Sequence, residues 1–389
     1  MTDPYKARFE AIANAGIEAF RRGETASARQ AFETVTASGR GSAQLWLVLA
    51  QCCDLQDDRP AARRALDRVL QLDADNPYAL LMHGEIHTRD GDDRAAVSWY
   101  ERALASANGR TNLPADLIAR LQRADAERTA ATDRFFNAIQ ASRAAAGGDA
   151  DAAGPRFAEA LAIISGRSAP QLQQPTSFYF PGLPQQAFYD PADFDWTAGL
   201  MAATAAIKAE ALAMMADAGA LQPYAEQPRD RPPRANELFG DPRWSACHLL
   251  KGGVPTTNAA RCPTTMAALQ GLPIPVIREH SPMALFSILA PGMHIPPHHG
   301  MLNTRLICHL PLLVPPDCRL RVGNHTRDVR EGEMLIFDDS IEHEAWNDSN
   351  APRAILLFEI WRPELTTSEQ AALKIIFESV VDYSGSEAN

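Results

Sequence analysis

No stretch of the 389 residues comes near the roughly 18 to 20 apolar residues in a row that a membrane-spanning helix needs. The amino-terminal segment, Met1 to Glu10, lacks the basic stretch leading into an apolar one that marks a secretory leader. Positive charge is also scarce: 37 Lys and Arg stand against 48 Asp and Glu, for a net charge of −11. Proteins that grip nucleic-acid phosphates usually carry a basic face, so that partner class is excluded. The six cysteines, at 52, 53, 247, 262, 308 and 318, form no C-x-x-C pair and are too few for a disulfide scaffold. These absences predict a soluble, cytoplasmic protein with no membrane partner and mostly free, buried thiols. A Cys247–Cys262 disulfide is left open, because only loop-like sequence separates the two and sequence does not supply geometry.

What is present begins with a repeat. Gly16, Ala50 and Gly84 are spaced by 34 residues, as are Ala28, Ala62 and Ala96, and as are Phe32, Leu66 and Tyr100. Gly23, Asp57 and Gly91 mark the turns in the same register. Small residues let paired helices approach, and a large residue four positions after the second small one fills the gap. The pattern resembles the tetratricopeptide repeat, whose period is also 34, and predicts three helix pairs over residues 12–110. An inserted helix is expected over Leu113 to Ala131, and a displaced fourth unit at Ala141, Gly148, Ala153 and Phe157. Arrays of this kind curve around a groove that commonly takes extended peptides, so a peptide or protein is the expected partner of the repeats. Support or dimerisation of the second domain is the other role such an array serves. His83 and His87 lie at i, i+4 but lack a third ligand nearby, so both are read as packing or surface residues.

Composition changes after Ser165, where proline, glutamine and aromatic residues replace alanine-rich helix. The expected domains are residues 1–165, a linker at 166–175, and residues 176–389. One helix is predicted from Trp196 to Ala218, then a Pro- and Arg-rich loop from Gln222 to Arg234. From about Arg243 the text turns to short β-type runs: Met283 to Leu289, Arg305 to Val314, Arg319 to Val322, Met334 to Phe337 and Ala354 to Trp361. Such spacing suggests a β-sandwich or barrel, closed by a helix from Thr367 to Val381. The fold class is therefore α+β multidomain, helical repeats first and a β-rich domain second.

Seven of the ten histidines fall between 280 and 343. Histidines on neighbouring strands can converge on a barrel interior and bind a transition metal as neutral imidazoles. His298 and His343 stand out by context, each beside a turn at a strand edge. A lone barrel histidine is more often a satisfied core group than a ligand. Arg353, ten residues after His343 at the start of an apolar run, adds a group able to hold a carboxylate in bidentate fashion.

The segment from Phe286 to Leu365 resembles the catalytic domain of the aspartyl/asparaginyl β-hydroxylase family. The matching text is Gly292-Met-His-Ile-Pro-Pro-His298-His-Gly300, Asn303-Thr-Arg305-Leu-Ile-Cys-His309-Leu-Pro-Leu312, Arg321-Val-Gly323, Phe337-Asp-Asp-Ser340, Glu342-His-Glu-Ala-Trp-Asn347 and Trp361-Arg-Pro-Glu-Leu365. Weaker similarity reaches back to Tyr179. The resemblance implies a double-stranded β-helix (jelly-roll, cupin-like) with Fe(II) as metal, 2-oxoglutarate as co-substrate and O2 as oxidant. It implies His298 and His343 as iron ligands, Ser287 and Arg353 on the distal carboxylate of 2-oxoglutarate, His309 on the co-substrate near the metal, and Asp339 beside a metal-bound water. Gly300 stands where most such oxygenases place a carboxylate ligand, an absence the family shares. Ile307 replaces an arginine of the animal member, and Arg305, two residues earlier on the same strand face, is the natural substitute.

The expected reaction is hydroxylation of the β-carbon of an Asp or Asn side chain in a peptide. Alternatives are a free or carrier-bound small molecule, a lipid acyl chain, a cupin-type isomerase that would not need Arg353, or a repeat scaffold without turnover. Oligomeric state is not legible from the sequence.

Overall fold

The 34-residue period is a helix pair. The computed structural model describes residues 4–147, 154–225 and 238–386 and forms two compact units, Met1–Ala169 and Pro170–Asn389. In the first unit, α1 (Pro4–Arg21) and α2 (Thr25–Ala37), α3 (Ala43–Leu55) and α4 (Arg59–Leu72), and α5 (Pro77–Arg89) and α6 (Asp93–Ala107) form successive hairpins. The register residues explain the period. A Cβ on Gly16 would lie 2.7 Å from the Phe32 ring, and one on Gly84 would overlap Tyr100, so an aromatic in the second helix requires glycine in the first. Where the partner is the smaller Leu66, Ala50 is tolerated. Gly23, Asp57 and Gly91 turn the chain with φ of 79°, 56° and 74°, the left-handed conformation that closes a helix. The next helix is then capped by Asp58 or Asp92, whose side chains accept from Ala61 and Ala95 N–H at 3.1 Å.

Two expectations are corrected here. The inserted helix does not stop near Ala131: α7 runs from Ala115 to Ala145, because its alanine-rich text contains no glycine or proline to end it. α8 (Gly154–Ile164) follows. Of the expected fourth unit, Ala141 lies on α7 and Phe157 on α8, with Arg143 over the Phe157 ring; Gly148 and Ala153 lie outside the described residues. His83 is buried and stacks on Trp99, ring centroids 4.1 Å apart, a packing role.

The second unit is β-rich. Its strands are β1 (Phe188–Tyr189), β2 (Gln222–Pro223), β3 (Trp244–Lys251), β4 (Val254–Pro255), β5 (Ala284–Leu289), β6 (Met293–His298), β7 (Arg305–Leu313), β8 (Cys318–Val322), β9 (His325–Asp328), β10 (Leu335–Phe337), β11 (His343–Asn347) and β12 (Arg353–Trp361). An eight-stranded sheet has the order β1-β10-β7-β12-β5-β3-β2 with β4 on β3, and a four-stranded sheet the order β6-β11-β8-β9. Every named pair is antiparallel.

Alternation sorts the large sheet into two faces. Ala354, Leu356, Phe358 and Ile360 of β12 join Leu306, Cys308 and Leu310 of β7 in a core covered by Leu200, Ile207, Ala211 and Met214. Those residues belong to α9 (Thr197–Ala202) and α10 (Thr204–Met215), with α11 (Pro263–Leu269) alongside. The opposite face, with Ile307, Ile355 and Leu357, packs on Ile295, Leu320, Val322 and Ala345 of the small sheet. The single helix expected from Trp196 to Ala218 is broken at Ala203, where Thr204 Oγ1 donates to the Met201 carbonyl at 2.6 Å and so competes with the backbone ladder. α12 (Thr367–Ser386) opens with a reciprocal box between Thr366 and Glu369. All six cysteines are free and buried.

Candidate functional site

Odd-numbered residues of β12, β7 and β5 face the inter-sheet space, and among them are Arg353, His309, Arg305 and Ser287. A cavity of about 440 Å3 opens there, and it is lined by all seven residues singled out in the sequence: Ser287, His298, Arg305, His309, Asp339, His343 and Arg353. A larger groove of about 760 Å3, bounded by residues such as Phe194, Met201 and Arg327, contains no histidine, cysteine or tyrosine.

His298 ends β6 and His343 begins β11, and the two are direct cross-strand partners. Their ring centroids lie 4.1 Å apart. His298 Nδ1 is 2.8 Å from the Pro296 carbonyl, and His343 Nδ1 is 3.1 Å from the Ile341 carbonyl. A carbonyl only accepts, so each Nδ1 carries the proton and each Nε2 keeps a lone pair, the tautomer a metal ligand needs. Burial, reinforced by His298, holds His343 down at about 3, and burial likewise lowers His298. Both rings are therefore neutral at physiological pH.

The third position is closed to a side chain. A Cβ on Gly300 would overlap the Asp339 carboxylate, whose own backbone carbonyl accepts from Gly300 N–H at 2.6 Å. No group of three His, Cys, Asp or Glu side chains is poised around one metal among the described residues. The donor set is two imidazoles with a carboxylate behind them, and it fits a transition ion that completes its shell with small ligands. Asp339 Oδ1 is buried without a partner. Burial raises this acid, against the pull of Arg305, to about 7.

Arg353 is 2% exposed, and among the described residues no carboxylate acts on its charge. Its Nε has no hydrogen-bond partner, and burial lowers the guanidinium to about 10. A buried cation left unpaired costs several kcal/mol, which a bound anion would relieve. Ser287 lies diagonally from it across β5, since Arg353 pairs with Leu289 and Ile355 with Ser287. Ser287 Oγ accepts from Trp244 Nε1 at 3.2 Å, leaving its own proton free to donate. His309 lies between Phe337, 4.9 Å away edge-on, and the Arg353 end, and burial pushes it well below its usual value.

Arg305 does not have the freedom expected of a substitute carboxylate anchor. Its Nη1 donates to Glu359, and its Nη2 lies 3.8 Å from Asp339. Burial opposes its charge, but the two acids outweigh that and leave it above its usual value. Of the pair Asp338-Asp339, Asp338 is structural. It is fully buried and accepts from Arg362 Nη1 at 2.7 Å, from Gln173 Nε2 at 2.6 Å and from Ser340 N–H at 3.0 Å. Gln173 falls inside the stretch read as a linker, yet is buried in this network.

Sequence reasoning missed Glu359, Trp244 and Tyr224. Glu359 carries a signal, a lone acid at an inward position of an otherwise apolar run. Trp244 and Tyr224, stacked 4.0 Å apart over the cavity, lie in text without a motif.

Comparison with known proteins finds a match in each unit. Residues 201–363 match the family model described as Aspartyl/Asparaginyl beta-hydroxylase, and residues 19–86 match the tetratricopeptide repeat. The second unit thus contains a domain of that hydroxylase family, and the first carries tetratricopeptide repeats. A human aspartyl/asparaginyl beta-hydroxylase is 36% identical over 173 residues, 44% of this chain and 21% of the relative. An ornithine lipid ester-linked acyl 2-hydroxylase of Rhizobium tropici is 36% identical over 179 residues, 45% of this chain and 60% of the relative. The matches therefore span about a fifth of the one and three fifths of the other. Among solved structures, PcrH with the chaperone binding region of PopD aligns at 22% identity and a TM-score of 0.30, covering 33% of this chain and 94% of that one. No helix among the described residues is long and apolar enough to cross a membrane.

Proposed function

We propose that the second unit is an Fe(II)- and 2-oxoglutarate-dependent hydroxylase built on a double-stranded β-helix. The observation that carries this reading is a buried, unpaired Arg353 in the same cavity as two imidazoles whose Nε2 lone pairs are free. The two facing antiparallel sheets support the fold assignment.

Iron(II), when bound, supplies the oxidative chemistry, in which 2-oxoglutarate, O2 and a substrate C–H give succinate, CO2 and an alcohol. His298 and His343 would hold the metal through Nε2. Arg353 and Ser287 bind the distal carboxylate of 2-oxoglutarate, the guanidinium by charge and the hydroxyl by donation. His309 borders the co-substrate. Asp339, fixed against Gly300, would hold a water close to the metal. The walls formed by Phe337, Leu320 and Ile295 exclude bulk water.

The family and the human relative support the β-carbon of an Asp or Asn side chain in a peptide as the target, with the repeats as a peptide- or protein-binding surface. The Rhizobium relative supports a second reading, an acyl-chain carbon, and Ile307 in the cavity wall favours that reading. Titration of 2-oxoglutarate into the Mn(II)-loaded protein tests the assignment. Binding in the wild type, weakened at least about a hundredfold by Arg353→Met, is expected; no binding to the wild type would sink it.

A further inference from the structure

The two arginines of the cavity stand at opposite ends of one strand face and in opposite states. Arg353 begins β12, and Glu359, six residues on, lies on the same face, roughly 20 Å away at strand rise. Arg305 reaches this far end from β7, where it pairs across from Trp361. Glu359 is fully buried, and three groups hold it: Ser281 Oγ donates to Oε1, Met283 N–H donates to Oε1 at 3.1 Å, and Arg305 Nη1 donates to Oε2. Asp339 approaches the other terminal nitrogen of Arg305 at 3.8 Å. One guanidinium is thus set between two carboxylates, with Ile307 beside it on the same face.

We propose that Glu359 determines substrate charge: by neutralising Arg305 it leaves Arg353 as the one open guanidinium among the described residues that line the cavity, so the group presented for hydroxylation is uncharged rather than a carboxylate. The inference rests on the hydroxylase reading and deepens it. Desolvating a carboxylate costs several kcal/mol unless a cation meets it. At the Arg353 end that cation is engaged by the co-substrate. At the other end it is engaged by Glu359, and an entering acid would also face Asp339. A hydrocarbon incurs no such cost and an amide a smaller one than a charged group, and Tyr224, Phe239, Met283 and Met301 line the cavity with largely apolar surface.

The test is calorimetry on the full chain loaded anaerobically with Mn(II) and 2-oxoglutarate. The probes are N-acetyl-aspartate methylamide and its asparagine and norvaline counterparts. The wild type is expected to bind both uncharged probes at least about tenfold more tightly than the acid, and Glu359→Gln to shift the ratio toward the acid by about tenfold or more. Gln can still accept from Ser281 and Met283; should the variant fail to fold, the wild-type ranking decides by itself. Acid binding equal to or tighter than the uncharged probes, no binding of any probe, or a folded variant with an unaltered ranking overturns the proposal. Titration of 2-oxoglutarate beforehand separates the failures. If it does not bind, the hydroxylase reading falls; if it binds and the ranking is wrong, only the role of Glu359 falls.

Discussion

Asp339 occupies the space that a side chain on Gly300 would need, and the Gly300 N–H donates to the Asp339 carbonyl. The two residues are one device: glycine admits the acid, and the acid stands behind the paired histidines. Gly300→Ala should therefore displace Asp339, at a packing cost of about 1–3 kcal/mol, and weaken Mn(II) binding by about 10- to 100-fold. Paramagnetic resonance of bound Mn(II) reads the second effect. Unaltered affinity would show that Asp339 has no bearing on the metal.

Arg353 should separate stability from function. Because its charge is buried without a carboxylate partner, Arg353→Met should leave the ligand-free protein as stable as the wild type or more so, by about 1–3 kcal/mol. The stabilisation that 2-oxoglutarate gives the wild type should vanish. Thermal unfolding with and without 2-oxoglutarate measures both, and a strongly destabilised ligand-free variant would mean that the guanidinium is structural.

Asp338 should behave in the opposite way. Asp338→Ala removes the nearer of two carboxylates from the fully buried Arg362, leaving Glu364 at 3.3 Å, and takes an acceptor from Gln173 and Ser340, so denaturant unfolding of the second unit should show a loss of about 3 kcal/mol. A loss below about 1 kcal/mol would contradict the network described.

His83 makes the repeat unit acid-sensitive. Burial holds its pKa at about 4, against about 6.5 in the unfolded chain. Between these values the unfolded state binds the proton and the folded state does not, so stability rises with pH. The contribution is fully present above pH 6.5 and lost as pH falls toward 4. It amounts to about 2 kcal/mol once residual solvent screening is allowed for. His83→Phe keeps the stack on Trp99 and should flatten that limb in unfolding experiments from pH 7 to 4; an equally steep limb would assign the acid sensitivity elsewhere.

The legibility of the sequence followed the strength of its periodicities. A 34-residue spacing identified the helix hairpins because Gly16 and Gly84 sit directly under aromatic rings, and strands β5, β7, β8, β10 and β12 were visible as apolar runs. Strand β6 was hidden by Pro296 and Pro297, which it tolerates as the edge of its sheet. Strand β11, His-Glu-Ala-Trp-Asn, is polar although mostly buried, because His343 faces the site, Glu344 is held by Arg321 and His294, and Asn347 donates to the Leu289 carbonyl. The histidines and Arg353 were legible through motifs. The locking of Arg305 by Glu359 was not, since it depends on a strand pairing between residues 54 positions apart.

The central claim, a two-histidine iron site that consumes 2-oxoglutarate, is tested most directly by succinate formation. Protein is incubated with Fe(II), ascorbate and 2-oxoglutarate, with and without asparagine-containing peptides and acyl amides, alongside His343→Ala. Iron-dependent succinate from the wild type, reduced at least about a hundredfold in the variant, is the expected result. No succinate under any condition, or equal yield from His343→Ala, would contradict the account.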